Sequence, residues 1–141
     1  MMKDVLINIK GVQGIDGDTD TVEFTTTGRF GVKNGGYYMS YEENELMGAK
    51  GIKTVLHVKE DDTVVLQRSG AMQSRLVVQK GKRNACFYNT PQGELMIGIF
   101  GEKIKNCLRD NGGKLSMCYT IDSNLQLISR NEVEISVKEV N

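Results

Sequence analysis

Residues 28–48 read GRFGVKNGGYYMSYEENELMG, and this stretch decides the fold of the chain. Apolar and polar residues alternate on both sides of the Asn-Gly-Gly triplet at residues 34–36. Asn and Gly adopt the positive φ angles of tight hairpin turns at low energetic cost. The stretch therefore predicts two long strands joined by a turn. Three of the five tyrosines in the chain lie on the second strand, close to several glutamates.

The same alternation continues through nearly the whole chain, and it is typical of strands with one buried face. Turn residues divide the chain into about ten short strands, and no segment predicts a helix longer than about two turns. Residues 102–108 also fit a helical spacing, but we favour a continuing strand there. Gly28 and Gly31 interrupt the second long strand, where glycine commonly marks a bulge or a bend.

Short strands joined by tight turns form either a sandwich or a barrel, and closure into a barrel removes the exposed edges. The predicted fold class is all-β, a closed antiparallel up-and-down β-barrel of about 8–10 strands. The chain has 141 residues and contains no internal repeat or linker. We therefore expect a single domain over residues 1–141.

The composition of the chain indicates the cellular compartment of the protein and the classes of partner that we do not expect. Its 18 acidic and 18 basic side chains cancel, so we predict no nucleic-acid partner and no membrane partner. No apolar run is long enough for a membrane helix, and we do not expect a signal peptide at the start of the chain. Three unevenly spaced cysteines indicate reduced thiols, which is typical of the cytoplasm.

A series of motifs, in a fixed order along the chain, resembles the YwiB-like family of small uncharacterised bacterial proteins. The motifs are GRFGVKNGGYYMSYEENELMG at residues 28–48, Thr54, VLQRSG at residues 65–70, FYNTPQG at residues 87–93, NGG at residues 111–113 and SRNE at residues 129–132. The resemblance extends over essentially the whole chain. It implies a closed, calycin-like (lipocalin-type) β-barrel in the bacterial cytosol, and it supplies no established activity or catalytic residue.

The tyrosine-rich strand carries the candidate site. Side chains alternate along a strand, so Tyr37, Tyr41 and Glu43 share one face. If that face points into the barrel, the carboxylate needs a positive partner, because burying an unpaired charge is costly. Arg68 lies on an otherwise apolar strand face and is the first candidate, and Arg75 is the second. The predicted ligand-binding residues are therefore Tyr37, Tyr41, Glu43, Arg68 and Arg75.

These residues support two hypotheses about function. The first is a non-enzymatic barrel that binds a small, partly apolar ligand in its lumen or mouth, where a few polar groups orient the ligand. The competing structural interpretation is that the same side chains fill the interior. The second hypothesis is a protein–protein interaction module, or a homodimer, that acts through its outer face or rim, with Tyr38, residues 48–51 and Pro91 in the contact. An enzyme is the least favoured alternative.

Several kinds of site are not indicated by the sequence. Asp16, Asp18 and Asp20 lack the Gly and Glu that a calcium loop needs at its sixth and twelfth positions. His57 is the sole histidine, so no zinc site built on a histidine pair can form. A nucleophilic dyad would need a cysteine beside His57, and the sequence contains no nucleophile elbow or phosphate-binding loop. We therefore predict no metal, no cofactor and no catalytic residue.

Overall fold

The structure of the protein, a computed structural model, is an all-β barrel. It describes residues 2–15, 17–43, 51–70, 73–90 and 93–140, and for residues 43 and 88–90 the description extends to the backbone only. The strands are β1 (Met2–Ile15), β2 (Asp18–Lys33), β3 (Gly36–Glu43), β4 (Ile52–Val58), β5 (Val64–Gly70), β6 (Ser74–Val78), β7 (Arg83–Thr90), β8 (Gly93–Arg109), β9 (Gly112–Ser123) and β10 (Gln126–Glu139). Among the described residues, no helix is long and apolar enough to cross a membrane.

Each strand pairs in antiparallel fashion with the strand before it and the strand after it, and β1 pairs with β10 to close the barrel. This arrangement confirms the predicted closed up-and-down barrel. Residues 102–108 lie within β8, as predicted. Asn34 adopts a φ of 53° and Gly35 a φ of 74° in the turn between β2 and β3, which is the conformation that favours these two residue types.

Alternate side chains point into the barrel, and their burial differs between its two ends. We call the end where β2 passes to β3, β4 to β5 and β8 to β9 the base, and the opposite end the mouth. The largest fully buried side chains include Phe30, Met39, Leu108 and Leu115, and they lie towards the base. On the same inner faces near the mouth, Val22 is 60% exposed and Leu95 is 47% exposed. The base is thus filled, while the mouth admits solvent.

For Gly28 and Gly31 the sequence predicted a bulge or a bend, and the β1–β2 ladder tests the first of these. The β1–β2 ladder runs from Met2 opposite Gly31 to Ile15 opposite Asp18 without a register shift. The predicted bulge at Gly28 or Gly31 is therefore wrong for this ladder. A Cβ atom at position 28 would overlap the carbonyl oxygen of Ser40 and the Cδ1 atom of Ile7. Glycine is required here because neighbouring backbone approaches too closely for a side chain.

The contact between β6 and β7 is the least regular in the barrel. Its ladder contains the single pair of Ser74 with Tyr88, and an isolated bridge joins Gln79 to Lys82 near the base. From residue 74 to 79 the first strand advances five residues, while from residue 82 to 88 the second advances six. One extra residue on the β7 side is the defining property of a bulge. We refer to this contact as the β6–β7 seam.

A charged clamp crosses β8 on the outer face. Arg83 of β7 donates hydrogen bonds from Nε and Nη2 to the Asp122 carboxylate of β9, at 2.9 and 2.6 Å. The guanidinium lies over Gly98, where an added Cβ would overlap it. These hydrogen bonds hold the pKa of the Asp122 carboxyl below its ordinary value of 3.8. The clamp therefore joins three strands, and it depends on the absence of a side chain at position 98.

The close approach at Gly28 gives a first prediction. Gly28→Ala should lower the free energy of unfolding by about 1–3 kcal/mol, because the new methyl group overlaps backbone that cannot move away freely. Gly11→Ala is the matched control, since a Cβ at Gly11 meets nothing within 4 Å. We expect the control to be neutral or more stable by up to about 1 kcal/mol. Urea unfolding followed by circular dichroism measures both, and equal effects would contradict this account of Gly28.

The clamp gives a second prediction. Gly98→Ala and Arg83→Ala should each lower the melting temperature. The double variant should melt no lower than the less stable of the two single variants, because both changes remove the same interaction. A depressed pKa in the folded state means that the stabilisation is present above the ordinary value of 3.8 and is lost as the pH falls through the lower folded value. The melting temperatures of native and Arg83→Ala protein should therefore converge on acidification. Additive losses at neutral pH would contradict the prediction.

Candidate ligand-binding site

Arg68 is the predicted residue that the structure places most clearly at a polar position inside the barrel. It follows Val64 and Leu66 on the inner face of β5, and it is half-buried. In the register of the sheet it lies opposite Thr54 of β4 and Ser74 of β6. Thr54 in turn lies opposite Tyr41 of β3. A row of polar side chains thus crosses four neighbouring strands at one level near the mouth.

Tyr119 faces Arg68 from β9, and sequence reasoning missed it. Burial raises the pKa of the Tyr119 hydroxyl, and the positive charge of Arg68 acts in the opposite direction. The phenol therefore remains protonated at neutral pH, when it can donate a hydrogen bond. The signal was available in the sequence, because Tyr119 shares the inner face with Leu115, Met117 and Ile121.

The two inner tyrosines of β3 occupy different environments. Tyr41 is 8% exposed, and its ring meets that of Phe24 edge-on with the centroids 6.2 Å apart. Tyr37 lies four residues nearer the base on the same face of β3, and its ring stacks on Phe30 with the centroids 5.7 Å apart. Both rings pack against the hydrophobic core. Tyr41 therefore belongs to the polar row, whereas Tyr37 belongs to the filled base.

The remaining predicted residues stand as follows. Glu43 is the last residue of β3, and its side chain lies outside the described part of the structure. Arg75 is exposed on β6 and lies opposite the exposed Gln67 of β5. The expectation that Arg75 could point inward as a counter-charge is therefore wrong. Alternation from the buried Ser74 places Arg75 on the outer face.

Arg68 and Arg75 nevertheless meet at a cleft in the barrel wall. The cleft has a volume of about 300 Å³, and Arg68, Ser74, Arg75, Phe87 and Glu94 contribute to its lining. Arg68 and Ser74 reach it from inner positions of the sheet, whereas Arg75 and Phe87 reach it from outer positions. We call this feature the wall cleft. It lies at the mouth end of the β6–β7 seam, where the irregular ladder leaves room between the strands.

The inner side of the seam holds polar groups that find no hydrogen-bond partner in the described part of the chain. Ser74 is 7% exposed, and its buried hydroxyl has no hydrogen-bond partner among the described residues. The Nδ2 atom of Asn84 on β7 is buried and also lacks such a partner. Buried polar atoms in folded proteins nearly always have partners, which include water and ligands. The seam is therefore a place where a bound group would satisfy existing hydrogen-bonding capacity.

A second cleft of about 460 Å³ lies where β2 and β3 separate, beside Gly28, Ser40 and Tyr41. Arg29 at its edge is already engaged, because it donates a hydrogen bond to the carbonyl of Met2 at 3.2 Å and lies 3.5 Å from the Asp4 carboxylate. This cleft brings Tyr41 to the surface on the side of β3 away from Arg68. Of the predicted residues, Tyr41 thus lines this cleft, whereas Arg68 and Arg75 line the wall cleft.

Tyr38 is the residue of the predicted interaction surface whose contacts the structure describes. Tyr38 stacks on His57 across the outer face, with ring centroids 3.9 Å apart. Burial, and then the charge of Lys59, lower the pKa of His57 below its ordinary value of 6.5, so the imidazole is neutral at pH 7. Residues 48–50 and Pro91 lie outside the described residues.

Across the described residues, no group of three His, Cys, Asp or Glu side chains could hold a metal ion.

Comparisons with known proteins agree with the barrel. A family described as a domain of unknown function (DUF1934) matches residues 7–135. The chain is 30% identical over 115 residues to a Bacillus subtilis protein described as the uncharacterised β-barrel protein YwiB, with 82% of this chain and 79% of that protein covered. The crystal structure of the ywiB protein from Bacillus subtilis superposes with a TM-score of 0.85 at 25% identity, covering 99% of this chain and 94% of that one. Because the family match includes nearly all of the strands, the chain belongs to the DUF1934 family of β-barrel proteins related to YwiB.

Proposed function

We propose that this protein is a non-enzymatic binding protein that takes up a small, partly apolar ligand at the mouth of the barrel. The ligand occupies the wall cleft at the β6–β7 seam, and Arg68 is the polar group that orients it. Phe87 supplies the apolar surface. One observation carries the proposal: Arg68 reaches both the inner polar row and the wall cleft, so a ligand in the cleft contacts the interior through one side chain.

The dimensions and chemistry of the wall cleft support this proposal. Its volume of about 300 Å³ lies at the lower end of the range of small-molecule sites, which combine apolar walls with a few polar groups. Phe87 is 56% exposed, which is a large apolar area for a residue that points away from the core. Covering that ring with a ligand would remove apolar surface from water and favour binding.

The positions of the potential nucleophiles favour binding over catalysis. His57 lies on the outer face against Tyr38, whereas Cys86 is buried within the hydrophobic core. Cys107 and Cys118 lie on β8 and β9, several strands away from His57 of β4. The arrangement offers no cysteine beside the histidine, and such a pair is what nucleophilic catalysis by a thiol requires.

The same proposal includes a calycin-like mode of binding and a location in the bacterial cytoplasm. All three cysteines are free, and Cys107 is exposed. Free, accessible thiols are typical of a reducing compartment. Calycin-like binding is supported by the up-and-down topology, with a filled base and an accessible mouth.

Self-association is a second candidate function, and one observation favours it. Phe87 and Met96 lie opposite each other on β7 and β8, and each is 56% exposed. An exposed cross-strand pair of large apolar side chains is the kind of patch that a second copy of the chain could cover. This surface is the outer face of the barrel beside the wall cleft.

The leading proposal predicts the behaviour of a fluorescent probe. 8-Anilino-1-naphthalenesulfonate, a small and partly apolar molecule, should bind the native protein with enhanced emission. Phe87→Ala should weaken this binding by about 1 kcal/mol through lost apolar contact, which is roughly fivefold in Kd. Phe100→Ala is the control, because Phe100 is also exposed on the outer face but does not line the wall cleft. Equal affinities for both variants, with circular dichroism confirming that each is folded, would place the probe elsewhere.

The second candidate predicts a dimer that depends on the Phe87–Met96 pair. Light scattering across a concentration series should then show a mass that rises towards twice that of the monomer. Met96→Glu should abolish the rise, because a charge cannot be buried cheaply in an apolar contact. A monomer at every concentration would contradict self-association and would leave the exposed ring of Phe87 available to a ligand.

A further inference from the structure

We propose that the ligand of the wall cleft carries an oxyanion, either a carboxylate or a phosphate, which is held by Arg68, Arg75 and the Ser74 hydroxyl. This inference rests on the proposed function, because it names the chemical class of the ligand for the same site. It adds a requirement for negative charge at a defined position, which the proposed function does not contain.

The buried hydroxyl of Ser74 is the first support. Ser74 is 7% exposed, lines the wall cleft and leaves its Oγ atom without a hydrogen-bond partner among the described residues. A serine hydroxyl can donate one hydrogen bond and accept two. A buried hydroxyl without a partner destabilises the protein. An acceptor atom on a ligand would remove this cost, and carboxylate and phosphate oxygens are strong acceptors.

The second support is the arrangement of charge around this hydroxyl. Arg68 lies opposite Ser74 in the β5–β6 ladder, and Arg75 is the next residue along the chain. Both guanidinium groups line the wall cleft, where Glu94 is the one carboxylate in the lining among the described residues. Arg75 has no ion-pair partner within the described part of the chain. The charge of Arg75 at the cleft therefore favours an anion, and guanidinium groups match the geometry of carboxylates and phosphates.

The third support is the position of Phe87. Its exposed ring forms the outer wall of the cleft, beside the two arginines. An oxyanion fixed by the arginines and Ser74 would leave the remainder of the ligand against this ring. A volume of about 300 Å³ accommodates a body of about the size of a substituted benzene ring. The ligand class is therefore a compact organic acid or phosphate ester with an apolar body.

The test uses three aromatic probes of similar size and different charge, together with inorganic phosphate. Benzoate and phenyl phosphate carry the oxyanion on an aromatic body, benzyl alcohol is the neutral analogue, and inorganic phosphate lacks the apolar body. Binding is measured from the shifts of the backbone amides of residues 67–69 and 73–75 in ¹H–¹⁵N NMR spectra. We expect at least one aromatic anion to bind about tenfold more tightly than benzyl alcohol, which corresponds to about 1.4 kcal/mol. The better of benzoate and phenyl phosphate identifies the oxyanion.

Two variants and a control separate a binding role from a structural one. Arg75→Gln should weaken the preferred anion about tenfold and leave benzyl alcohol unchanged, because it removes charge at similar size. Arg109→Gln, on β8 near the base, should have no effect. Ser74→Ala should raise the melting temperature of the free protein, since it deletes an unsatisfied hydroxyl, and should also weaken the anion. A structural serine would alter the melting temperature alone.

The outcomes distinguish this inference from the proposed function. If benzyl alcohol shifts the same amides as strongly as the anions do, or if Arg75→Gln leaves anion affinity unchanged, the oxyanion inference is overturned while the proposed function stands. If no aromatic probe shifts these amides, both are overturned. Binding of inorganic phosphate as tight as that of phenyl phosphate would overturn the apolar component of the ligand class.

Discussion

The pairing of β1 with β10 is the constraint on which the rest of the structure depends. Ten residue pairs, from Val5 opposite Glu139 to Gly14 opposite Arg130, join the first and last strands. With this ladder in place, every strand has two neighbours, and neither β1 nor β10 is a free edge of the sheet. Closure also defines an inside, so the alternation of side chains along each strand becomes a division between core and solvent. Without it, the inner faces of ten strands would have nothing to pack against.

Closure and register together determine the position of the candidate site. The antiparallel ladders from β3 to β6 align Tyr41, Thr54, Arg68 and Ser74 across the sheet. This polar row lies at the boundary between the filled base and the accessible mouth. Ser74, the last residue of this row, adjoins the β6–β7 seam, where the ladder is reduced to one residue pair. The site therefore arises where regular pairing ends, and a bulge there provides a space that an ideal barrel would lack.

Much of this arrangement could be predicted from the sequence, because strand alternation and turn residues are local signals. The ten strands, their antiparallel order and the inward direction of Tyr41 and Arg68 all follow from a period of two. The wall cleft could not be predicted, since it depends on a one-residue register difference between β6 and β7. The sequence suggested that Arg75 points inward, because Val77 on the same strand face is apolar. In the structure that face points outward. The clamp between Arg83 and Asp122 crosses an intervening strand, and no local pattern reports such a contact.

The meeting of the first and last strands has a consequence for biosynthesis. As the chain leaves the ribosome, β1 emerges first, and its partner β10 emerges after all of the other strands. Until then, the backbone groups of residues 5–14 that later face β10 remain an open edge. Such edges recruit other chains, and pairings distant in sequence form slowly. Until β10 pairs with β1, any sheet formed by the earlier strands has β1 as an open edge, and protection of that edge, by a chaperone or by rapid translation, would limit aggregation.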